Sequence, residues 1–322
     1  MKVSVVIPTF NRPDALRRGL DGLAGQTLPA DRFEVIVVDD GSGRPPREVV
    51  AGFEGRYPVR LLEKPNGGLA SARNHGAAHA EGEFLLFMDD DILPCPEFLE
   101  AHLAAHEGAP RVVALGALPH PAIIPRTPFL YYLERVLHYD LFLRYGSAEN
   151  IPLPPLNGNS SIRRVEFEDA GGNDTTFSRY GGEDTEMGYR LLKRGLRFVY
   201  APAARGWHYH VKDYEAYRRD MYSSGVTMVA IVRRYPEVLS RVNLDLVLPD
   251  PGPLSPGKRV KRFLWRFLER RPKAVSALER FLVVASRAGW GPPLYPFYLV
   301  ASHYHYARGM HDELEKGSGL ES

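Results

Sequence analysis

Three consecutive aspartates, Asp89, Asp90 and Asp91, follow the apolar run FLLFM at residues 84–88. Carboxylates held this close repel one another, so their crowding indicates a cation or a positively charged group nearby. In an extended segment side chains alternate between two faces, which lets Asp89 and Asp91 point one way while Asp90 points the other. Oxygen ligands in such a D-x-D arrangement suit a hard divalent cation. We therefore predict a metal site here rather than a solvated acidic turn.

Two further segments carry polar groups at the ends of predicted elements. VVDDGS places Asp39 and Asp40 beside Gly41, where a carboxylate can accept hydrogen bonds from a base or sugar, although such endings are also common in ordinary turns. NGGLASARNHG, at 66–76, lacks the lysine of a Walker loop and the G-x-G-x-x-G pattern, so dinucleotide binding is weakly supported. Its Arg73 is either a partner for a phosphate or base, or a surface charge.

An acid pair and a histidine pair complete the set of candidates. GGED begins a predicted helix with Glu183 and Asp184, where the helix dipole favours the ionised carboxylate that a general base needs. The alternative is an acidic helix cap. WHYH supplies His208 and His210, which share a face if the segment is extended. One of them completing the metal site is an alternative to ordinary packing.

The elements that must position these residues alternate along the first 120 residues. The predicted strands are 3–7, 34–40, 59–63, 84–88 and 112–116, and the predicted helices between them are 13–25, 70–80 and 97–106. This alternation predicts an α/β fold with a mostly parallel central sheet and helices on both faces. Ligands bind beyond the carboxyl ends of such strands, where PTFNR, DDGS and DDD lie.

The rest of the chain is less regular. Residues 117–180 are rich in Pro, Tyr and Asn and predict loops with a few short strands. A helix is predicted over 183–195, then a strand at 197–201 and a further helix near 213–234. The run PDPGPLSPG, at 249–257, reads as a linker before two or three helices. We therefore predict one main domain over 1–240 and a linker with a helical C-terminal extension over 241–322.

Composition narrows the class of protein. The chain has 322 residues, 44% hydrophobic and 25% charged, which is typical of a soluble globular protein with one sizeable core. Its single cysteine, Cys95, rules out a disulfide within the chain. Pro8 ends the first apolar run too early for a signal peptide, and no run approaches the roughly 20 apolar residues that span a bilayer. A cytoplasmic location is expected, with peripheral attachment at the inner face of the membrane as an option.

Charge is distributed unevenly. The net charge is +2, yet residues 258–273 hold eight Lys or Arg against one Glu, a net of +7 that leaves −5 for the rest. A mildly acidic body with a basic tail is not the pattern of a nucleic-acid-binding protein. Apolar residues alternate at helical spacing among these basic residues, which predicts contact with an anionic membrane through 258–273 or a packed helix with its basic face in water.

Taken as an ordered set, six segments resemble one family. VSVVIPTFNR, VVDDGS, NGGLASARN, FMDDD, GNSSIRR and GGEDTEMGYRL are similar to the inverting glycosyltransferases of family 2, which have the nucleotide-sugar-binding fold called GT-A. The resemblance covers roughly the first 210 residues. It implies that the nucleotide is bordered by residues after the first strand: Pro8, Thr9, Asn11 and Arg12.

The resemblance also assigns the remaining positions. It implies that Asp39 or Asp40 contacts the base together with Arg73. The metal-binding D-x-D motif falls on Asp89 to Asp91, where three aspartates leave the choice of pair open and where Asp89 and Asp90 also face the donor. Asp184 matches the catalytic base, with Glu183 as its alternative. The turn at Asn157 to Ser161 matches the acceptor side.

The implied activity is transfer of a sugar from a nucleotide diphosphate sugar, expected to be a UDP-sugar, to the hydroxyl of a glycan, lipid-linked or small-molecule acceptor in cell-surface glycan or polysaccharide synthesis. Mg2+ or Mn2+ would stabilise the leaving diphosphate. One alternative is a sugar-phosphate nucleotidyltransferase, which would have a Gly-rich basic turn where this chain has PTFNRP. Another is a non-catalytic binding protein on the same fold, against which the presence of every candidate acid argues.

Overall fold

The computed structural model describes residues 2–134, 148, 151–177, 181–210, 212–239, 241–288 and 294–318. They fall into two compact units. The first comprises 1–124, 134–178 and 183–210, and the second comprises 125–133, 179–182 and 211–322. This grouping differs from the predicted division at 240/241, because the helix Tyr214–Arg234 packs along the helix Tyr295–Ser318.

The first unit contains an eight-stranded sheet. Its strands are β1 Val3–Thr9, β2 Phe33–Asp39, β3 Val59–Glu63, β4 Phe84–Met88, β5 Ile92–Pro94, β6 Val112–Ala117, β7 Asn159–Arg163 and β8 Arg197–His208. The order across the sheet is β3-β2-β1-β4-β7-β6-β8-β5. The neighbouring strands β3, β2, β1 and β4 run parallel to one another, and β6 runs parallel to β8. Strand β7 is antiparallel to both β4 and β6, and β5 is antiparallel to β8.

One set of helices covers both faces of this sheet, and another set forms the second unit. In the first unit they are α1 Pro13–Ala24, α2 Arg47–Ala51, α3 Gly68–Ala78, α4 Phe98–Ala104, α6 Arg164–Asp169 and α7 Glu183–Lys193. In the second unit they are α5 Pro128–Leu133, α8 Tyr214–Arg234, α9 Pro256–Glu269, α10 Pro272–Arg287 and α11 Tyr295–Ser318. Among the described residues, none of these helices combines the length and the apolar character needed to cross a membrane.

The predicted α/β fold is confirmed. All five predicted strands form, and β1, β2 and β4 are buried along their whole length because apolar side chains on both faces meet helices. One core lies against α1 and α4, and the other against α3 and α7. The prediction of loops over 117–180 was wrong at α5 and α6, and the strand at 197–201 continues to His208 as a single element.

A buried polar chain crosses the sheet at β7. Asn159 donates from Nδ2 to the carbonyls of Ala117 (3.0 Å) and Ala204 (3.1 Å), so its Oδ1 must accept from Nε2 of His102 (2.8 Å). Nδ1 of His102 then accepts from the Ser161 hydroxyl (2.9 Å), which accepts from Nε2 of His106 (2.8 Å). Both imidazoles are neutral in this arrangement. Burial lowers the pKa of His102 and of His106 to about 4.

The second unit is built around two long helices that cross at glycines. An ideal Cβ on Gly225 of α8 would lie 2.0 Å from the carbonyl oxygen of Tyr306, and one on Gly309 of α11 would lie 2.1 Å from that of Tyr222. The helix backbones therefore approach more closely than any side chain would permit. On α5, Phe129 and Tyr132 stack near Tyr298 of α11, with ring centroids 5.2 and 5.4 Å away.

We expect the buried histidines to make the fold acid-sensitive. Their folded pKa of about 4 lies below the unfolded value near 6.5, so the unfolded state binds more protons between these values. The stability they contribute is present above pH 6.5 and is lost as the pH falls toward 4, by about 2 kcal/mol per histidine between pH 7 and pH 5. Urea unfolding at both pH values measures this loss. His102→Gln, which cannot titrate, should show a smaller loss than the parent, and equal pH dependence of the two proteins would contradict the assignment.

Candidate functional site

The three aspartates after β4 are divided between two arginines, because Asp90 and Asp91 both bind Arg12 whereas Asp89 binds Arg73. Asp90 is buried, and its two carboxylate oxygens accept from the Thr9 hydroxyl at the end of β1 (2.8 Å) and from Nη1 of Arg12 (2.8 Å). Burial raises the pKa of Asp90 to about 7, although Arg12 and Thr9 both act in the opposite direction. Asp90 thus ties the β4 turn to the segment that follows β1.

Asp91 lies between an arginine and a histidine. Its Oδ2 accepts from Nη2 of Arg12 (2.8 Å), and its Oδ1 lies 3.3 Å from Nε2 of His208 at the end of β8. Burial opposes ionisation of Asp91, but His208 and Arg12 outweigh it and hold the pKa of this carboxyl well below its usual range. His210 approaches the same arginine, with Nδ1 3.3 Å from Nη2. The site therefore gathers β1, β4 and β8 around Arg12.

Asp89 faces away from this group and toward α3. Its Oδ1 accepts from Nη2 of Arg73 (3.0 Å), whose side chain is only 2% exposed. Nη1 of Arg73 donates to the carbonyl of Leu156 (3.4 Å). The carboxylate of Asp89 also packs on Gly158, where an ideal Cβ would come within 2.0 Å of the carboxyl carbon. The predicted contact of Arg73 with a base remains a prediction, since this guanidinium is buried against Asp89.

The two acids after β2 bind loop backbone. Asp39 accepts from the hydroxyl of Ser42 (2.5 Å) and from its amide (3.2 Å). Asp40 accepts from the amides of Gly67 (3.0 Å) and Gly68 (2.8 Å) at the start of α3, and from Nζ of Lys64 (2.5 Å). Both carboxylates are buried. They fix the loop before α3, and a direct role in binding a base remains a prediction.

The segment after β1 is linked to the same loops. Thr9 lies opposite Asp39 in the parallel ladder, one residue beyond the pair Pro8 and Val38. Asn11 has a φ of 56°, a left-handed conformation that asparagine tolerates better than most residues. Its side chain accepts from the amide of Gly43 (3.0 Å). Pro8, Thr9, Asn11 and Arg12 therefore form one edge of the site, at the carboxyl ends of β1 and β2.

Asp184 lies in the first turn of α7, as predicted. Its Oδ1 accepts from the amide of Thr185 (2.7 Å), and its backbone carbonyl accepts from the amide of Leu156 (3.0 Å). Burial and the charge of the neighbouring Glu183 raise the pKa of Asp184 to about 6, while the charge of Arg73 acts to lower it. Leu156 and Arg73 thus connect Asp184 with Asp89. Glu183 is buried at the same helix end.

The residues fit a divalent cation in part. Asp91 Oδ1 is buried and accepts no hydrogen bond from the described residues, while His208 lies 3.3 Å from it. A carboxylate oxygen and an imidazole nitrogen are ligands that Mn2+ accepts. A group of three candidate ligand atoms that all lie within 4.8 Å of one another occurs, among the described residues, only at His311, Asp312 and Glu315. The predicted ligands do not form such a group of three. The structure thus brings Asp91 and His208 together, while Asp89 faces Arg73 and His210 faces Arg12.

An open cavity of about 340 Å³ adjoins Asp91. It is lined by the start of α1 and the segment after β8, namely Asn11, Arg12, Pro13, Asp14, Ala15, Arg18, Asp91, Tyr209 and His210. Arg18 lies over the ring of Tyr209, with its Cζ 5.3 Å from the centroid. Sequence reasoning did not identify Arg18 or Tyr209, because only the fold brings α1 and β8 together. The cavity thus presents the guanidinium groups of Arg12 and Arg18 together with the carboxylates of Asp14 and Asp91.

The turn predicted to face an acceptor is largely internal. Asn159, Ser160 and Ser161 are buried in β7, where their side chains bond within the protein. Oδ1 of Asn157 accepts from the amide of Asn159 (2.9 Å) and from the Ser160 hydroxyl (2.9 Å). This segment therefore shapes the site by holding Gly158 against Asp89. The sequence analysis placed Gly158 in this turn but did not predict its contact with Asp89, because a lone glycine carries no local signal for such a contact.

Sequence comparisons connect this site to known proteins. A family model described as glycosyl transferase family 2 matches residues 4–170, more than half of the chain, and one described as the N-terminal domain of galactosyltransferase matches 154–214. Validoxylamine A glucosyltransferase of Streptomyces hygroscopicus subsp. jinggangensis is 32% identical over 262 residues, covering 74% of this chain and 62% of its own length. Pre-mycofactocin glycosyltransferase of Mycobacterium tuberculosis is 31% identical over 244 residues, covering 73% and 48%. The chain spans roughly half to three fifths of the length of these relatives.

Solved structures share the fold. Mannosyltransferase PcManGT from Pyrobaculum calidifontis, in complex with GDP-Man and Mn2+, aligns with a TM-score of 0.62 at 18% identity, covering 96% of this chain and 86% of that one. S. aureus TarS 1–349, in complex with UDP, aligns with a TM-score of 0.53 at 20% identity, covering 98% and 92%. Together with the family match, these alignments confirm the predicted GT-A fold.

The packing of Gly158 on Asp89 can be tested by substitution. In Gly158→Ala the added methyl group must displace Asp89 and disturb its bond with Arg73, so we expect a loss of about 1–3 kcal/mol in the free energy of unfolding. Denaturant unfolding measures it. Gly257→Ala is the matched control, because an ideal Cβ there meets no atom within 4 Å. Equal effects of the two substitutions would mean that the contact with Asp89 carries no stability.

Proposed function

Because the chain belongs to glycosyl transferase family 2, we propose that it moves a sugar from a nucleotide diphosphate sugar to an acceptor hydroxyl, with inversion at the anomeric carbon. One observation carries the proposal. Arg73 binds Asp89 at 3.0 Å and, with Leu156, holds the aspartate turn next to the start of α7, where Asp184 lies. These contacts therefore hold the candidate diphosphate site and the candidate base at a fixed distance from each other.

The donor occupies the edge formed by the carboxyl ends of β1, β2 and β4. Asn11 and the loops fixed by Asp39 and Asp40 border the nucleotide in this proposal, since they line the edge where ligands bind in parallel sheets. The diphosphate lies toward the cavity of Arg12 and Arg18, whose guanidinium groups match phosphate oxygens in charge and geometry. Donor binding is therefore shared between backbone-fixed loops and two arginines.

Asp91 and His208 are the proposed ligands of Mg2+ or Mn2+, with Asp89 and His210 as the further predicted ligands. Oδ1 of Asp91 is buried and accepts no hydrogen bond from the described residues, and the side chain of Asp89 is 38% exposed, so each offers a carboxylate to an ion in this proposal. The bound ion would act as a Lewis acid that stabilises negative charge on the departing diphosphate. Arg12 already supplies one positive charge to Asp90 and Asp91, at 2.8 Å from each.

Asp184 is the proposed general base. Its pKa of about 6 leaves it ionised at neutral pH yet basic enough to accept the proton of an attacking hydroxyl. Burial and the charge of Glu183 raise this pKa, while the charge of Arg73 and the hydrogen bonds from Thr185 act to lower it. Because inversion needs a single displacement, one carboxylate suffices. Glu183 is the alternative base if Asp184 only caps the helix.

The donor and acceptor are proposed at the level of class. A UDP-sugar remains the first donor to test, with GDP-mannose beside it, because structural neighbours were solved with UDP and with GDP-Man. The acceptor is the hydroxyl of a glycan, a lipid-linked sugar or a small molecule, in cell-surface glycan or polysaccharide synthesis. Incubation with a panel of nucleotide sugars, read by released nucleoside diphosphate, tests the proposal. Pyrophosphate-dependent formation of nucleoside triphosphate would indicate a nucleotidyltransferase instead, and no turnover with any donor and acceptor would favour a binding protein.

Metal dependence gives a second prediction. Chelation should abolish turnover, and Mn2+ or Mg2+ should restore it, because the diphosphate charge would otherwise lack its counter-ion. Release of nucleoside diphosphate is measured with and without chelator, and a dialysed sample serves as the control. Full activity in excess chelator would refute the metal role of Asp91 and would leave the diphosphate charge to side chains such as those of Arg12 and Arg18.

The two carboxylate roles predict different failures. Asp184→Asn keeps shape but cannot accept a proton, so transfer should fall by about 10² to 10⁴-fold while nucleoside diphosphate still binds. Asp91→Ala should instead weaken metal-dependent binding of nucleoside diphosphate, measured by calorimetry.

In the parent, kcat should fall as the pH drops through about 6, because Asp184 then becomes protonated. Near-parent turnover by Asp184→Asn would transfer the role of base to Glu183.

A further inference from the structure

One face of α9 is fixed to the rest of the second unit. Arg262 donates to the carbonyls of Leu248 (2.7 Å) and Pro249 (3.0 Å), and also to those of two residues in the preceding turn. Lys258 pairs with Asp245 at 2.5 Å. Trp265 is buried, with its ring 5.6 Å from that of Tyr304 on α11. The helix therefore cannot rotate to bury its other face without losing these contacts.

The opposite face of α9 is apolar and in water. Val260 is 60% exposed, Phe263 68% and Phe267 42%, and Leu264 beside them is also exposed. Their spacing of three and four residues places them on one side of the helix. The rings of Phe263 and Phe267 stack with centroids 6.4 Å apart. A contiguous exposed apolar ridge of this kind marks an interaction surface.

The charges around this ridge have one sign. Arg259, Lys261 and Arg266 are exposed on α9, and the exposed Arg270, Arg271 and Lys273 follow in the turn to α10 and at its start. The only acids in residues 256–287 are Glu269 and Glu279. Glu269 pairs with His311 (3.2 Å) and Glu279 with His305 (2.5 Å), both on α11. Every exposed charged residue of α9 and α10 is therefore basic.

The next helix also carries exposed apolar side chains. On α10, Phe281 is 42% exposed and Val284 is 66% exposed, and Phe297 of α11 lies beside Phe281 with ring centroids 6.2 Å apart. Arg280 and Arg287 are exposed on the same helix. Apolar and basic side chains thus share the outward surface of both helices. A nucleic acid would use the charges but would leave the aliphatic side chains in water.

We propose that the outward surface of α9 and α10 binds an anionic phospholipid bilayer. Phe263, Phe267 and Val260 enter the boundary between head groups and acyl chains, while the surrounding arginines and lysines pair with lipid phosphates. The contacts of Arg262 and Trp265 keep the apolar ridge outward before the membrane is met, so binding needs no refolding of α9. This surface lies in the second unit, and its test does not depend on the proposed reaction.

Co-sedimentation of the full chain with vesicles tests the proposal without any nucleotide. We expect binding to vesicles of phosphatidylglycerol and phosphatidylcholine, little binding to phosphatidylcholine alone, and release at high salt. Phe263→Ser with Phe267→Ser should weaken vesicle binding by at least about tenfold, since two apolar anchors are lost. Lys261→Glu with Arg266→Glu should abolish the preference for anionic lipid.

The control removes exposed apolar side chains elsewhere. Ile123→Ser with Val165→Ser changes residues that are 80% and 55% exposed in the first unit, and should bind vesicles like the parent. Thermal unfolding verifies that each variant is folded. Absence of vesicle binding by the parent, or binding unchanged in both α9 variants, would overturn the proposal. A third outcome would also overturn it: the parent self-associates, the double serine variant of α9 does not, and neither protein binds lipid. The surface would then join two copies of the chain.

Discussion

The site depends on the pairing of three adjacent aspartates with side chains from three separate parts of the chain. Asp89 is paired with Arg73 of α3, Asp90 with Arg12 after β1, and Asp91 with both Arg12 and His208 of β8. Like charges this close are stable in a buried setting only when each has a partner. The aspartate turn therefore forms fully only when the sheet has aligned β1, β4 and β8, which makes the electrostatics of the site a consequence of strand order.

That strand order also sets the spacing between the candidate metal site and the candidate base. β7 runs antiparallel beside β4, so the residues before it return to the carboxyl end of β4 and set Gly158 against Asp89. Leu156, two residues earlier, binds both Arg73 and the backbone of Asp184. One short segment thus fixes the distance between the candidate metal side and the candidate base. The candidate base gains its raised pKa from burial at this junction and from the acid next to it.

Much of this arrangement could be predicted from the sequence, because it depends on local pattern. The apolar runs at 3–7 and 84–88, the helix start at Glu183 and the polar residues after each strand all have a periodicity or a boundary signal. The contacts that complete the site do not. Arg12 and Asp90 are 78 residues apart, and His102 and Asn159 are 57 apart, so their pairing is specified only by the folded sheet. The contact of Arg73 with Asp89 had no signal in the sequence either, because only the fold buries this guanidinium beside the aspartate turn.

The crossing of α8 and α11 has a consequence for the order in which the chain is made. The hydroxyl of Tyr132 on α5 donates a hydrogen bond to Ser302 on α11, and Gly225 of α8 packs against the backbone of Tyr306 on the same helix. Every strand of the sheet has been synthesised by residue 208, whereas α5 and α8 receive these partners only once residues 295–318 have left the ribosome. In the interval their apolar faces have no place to pack, and such transiently exposed surface favours aggregation or chaperone binding. Nascent chains stalled near residue 240 should therefore be the species that chaperones recognise most readily.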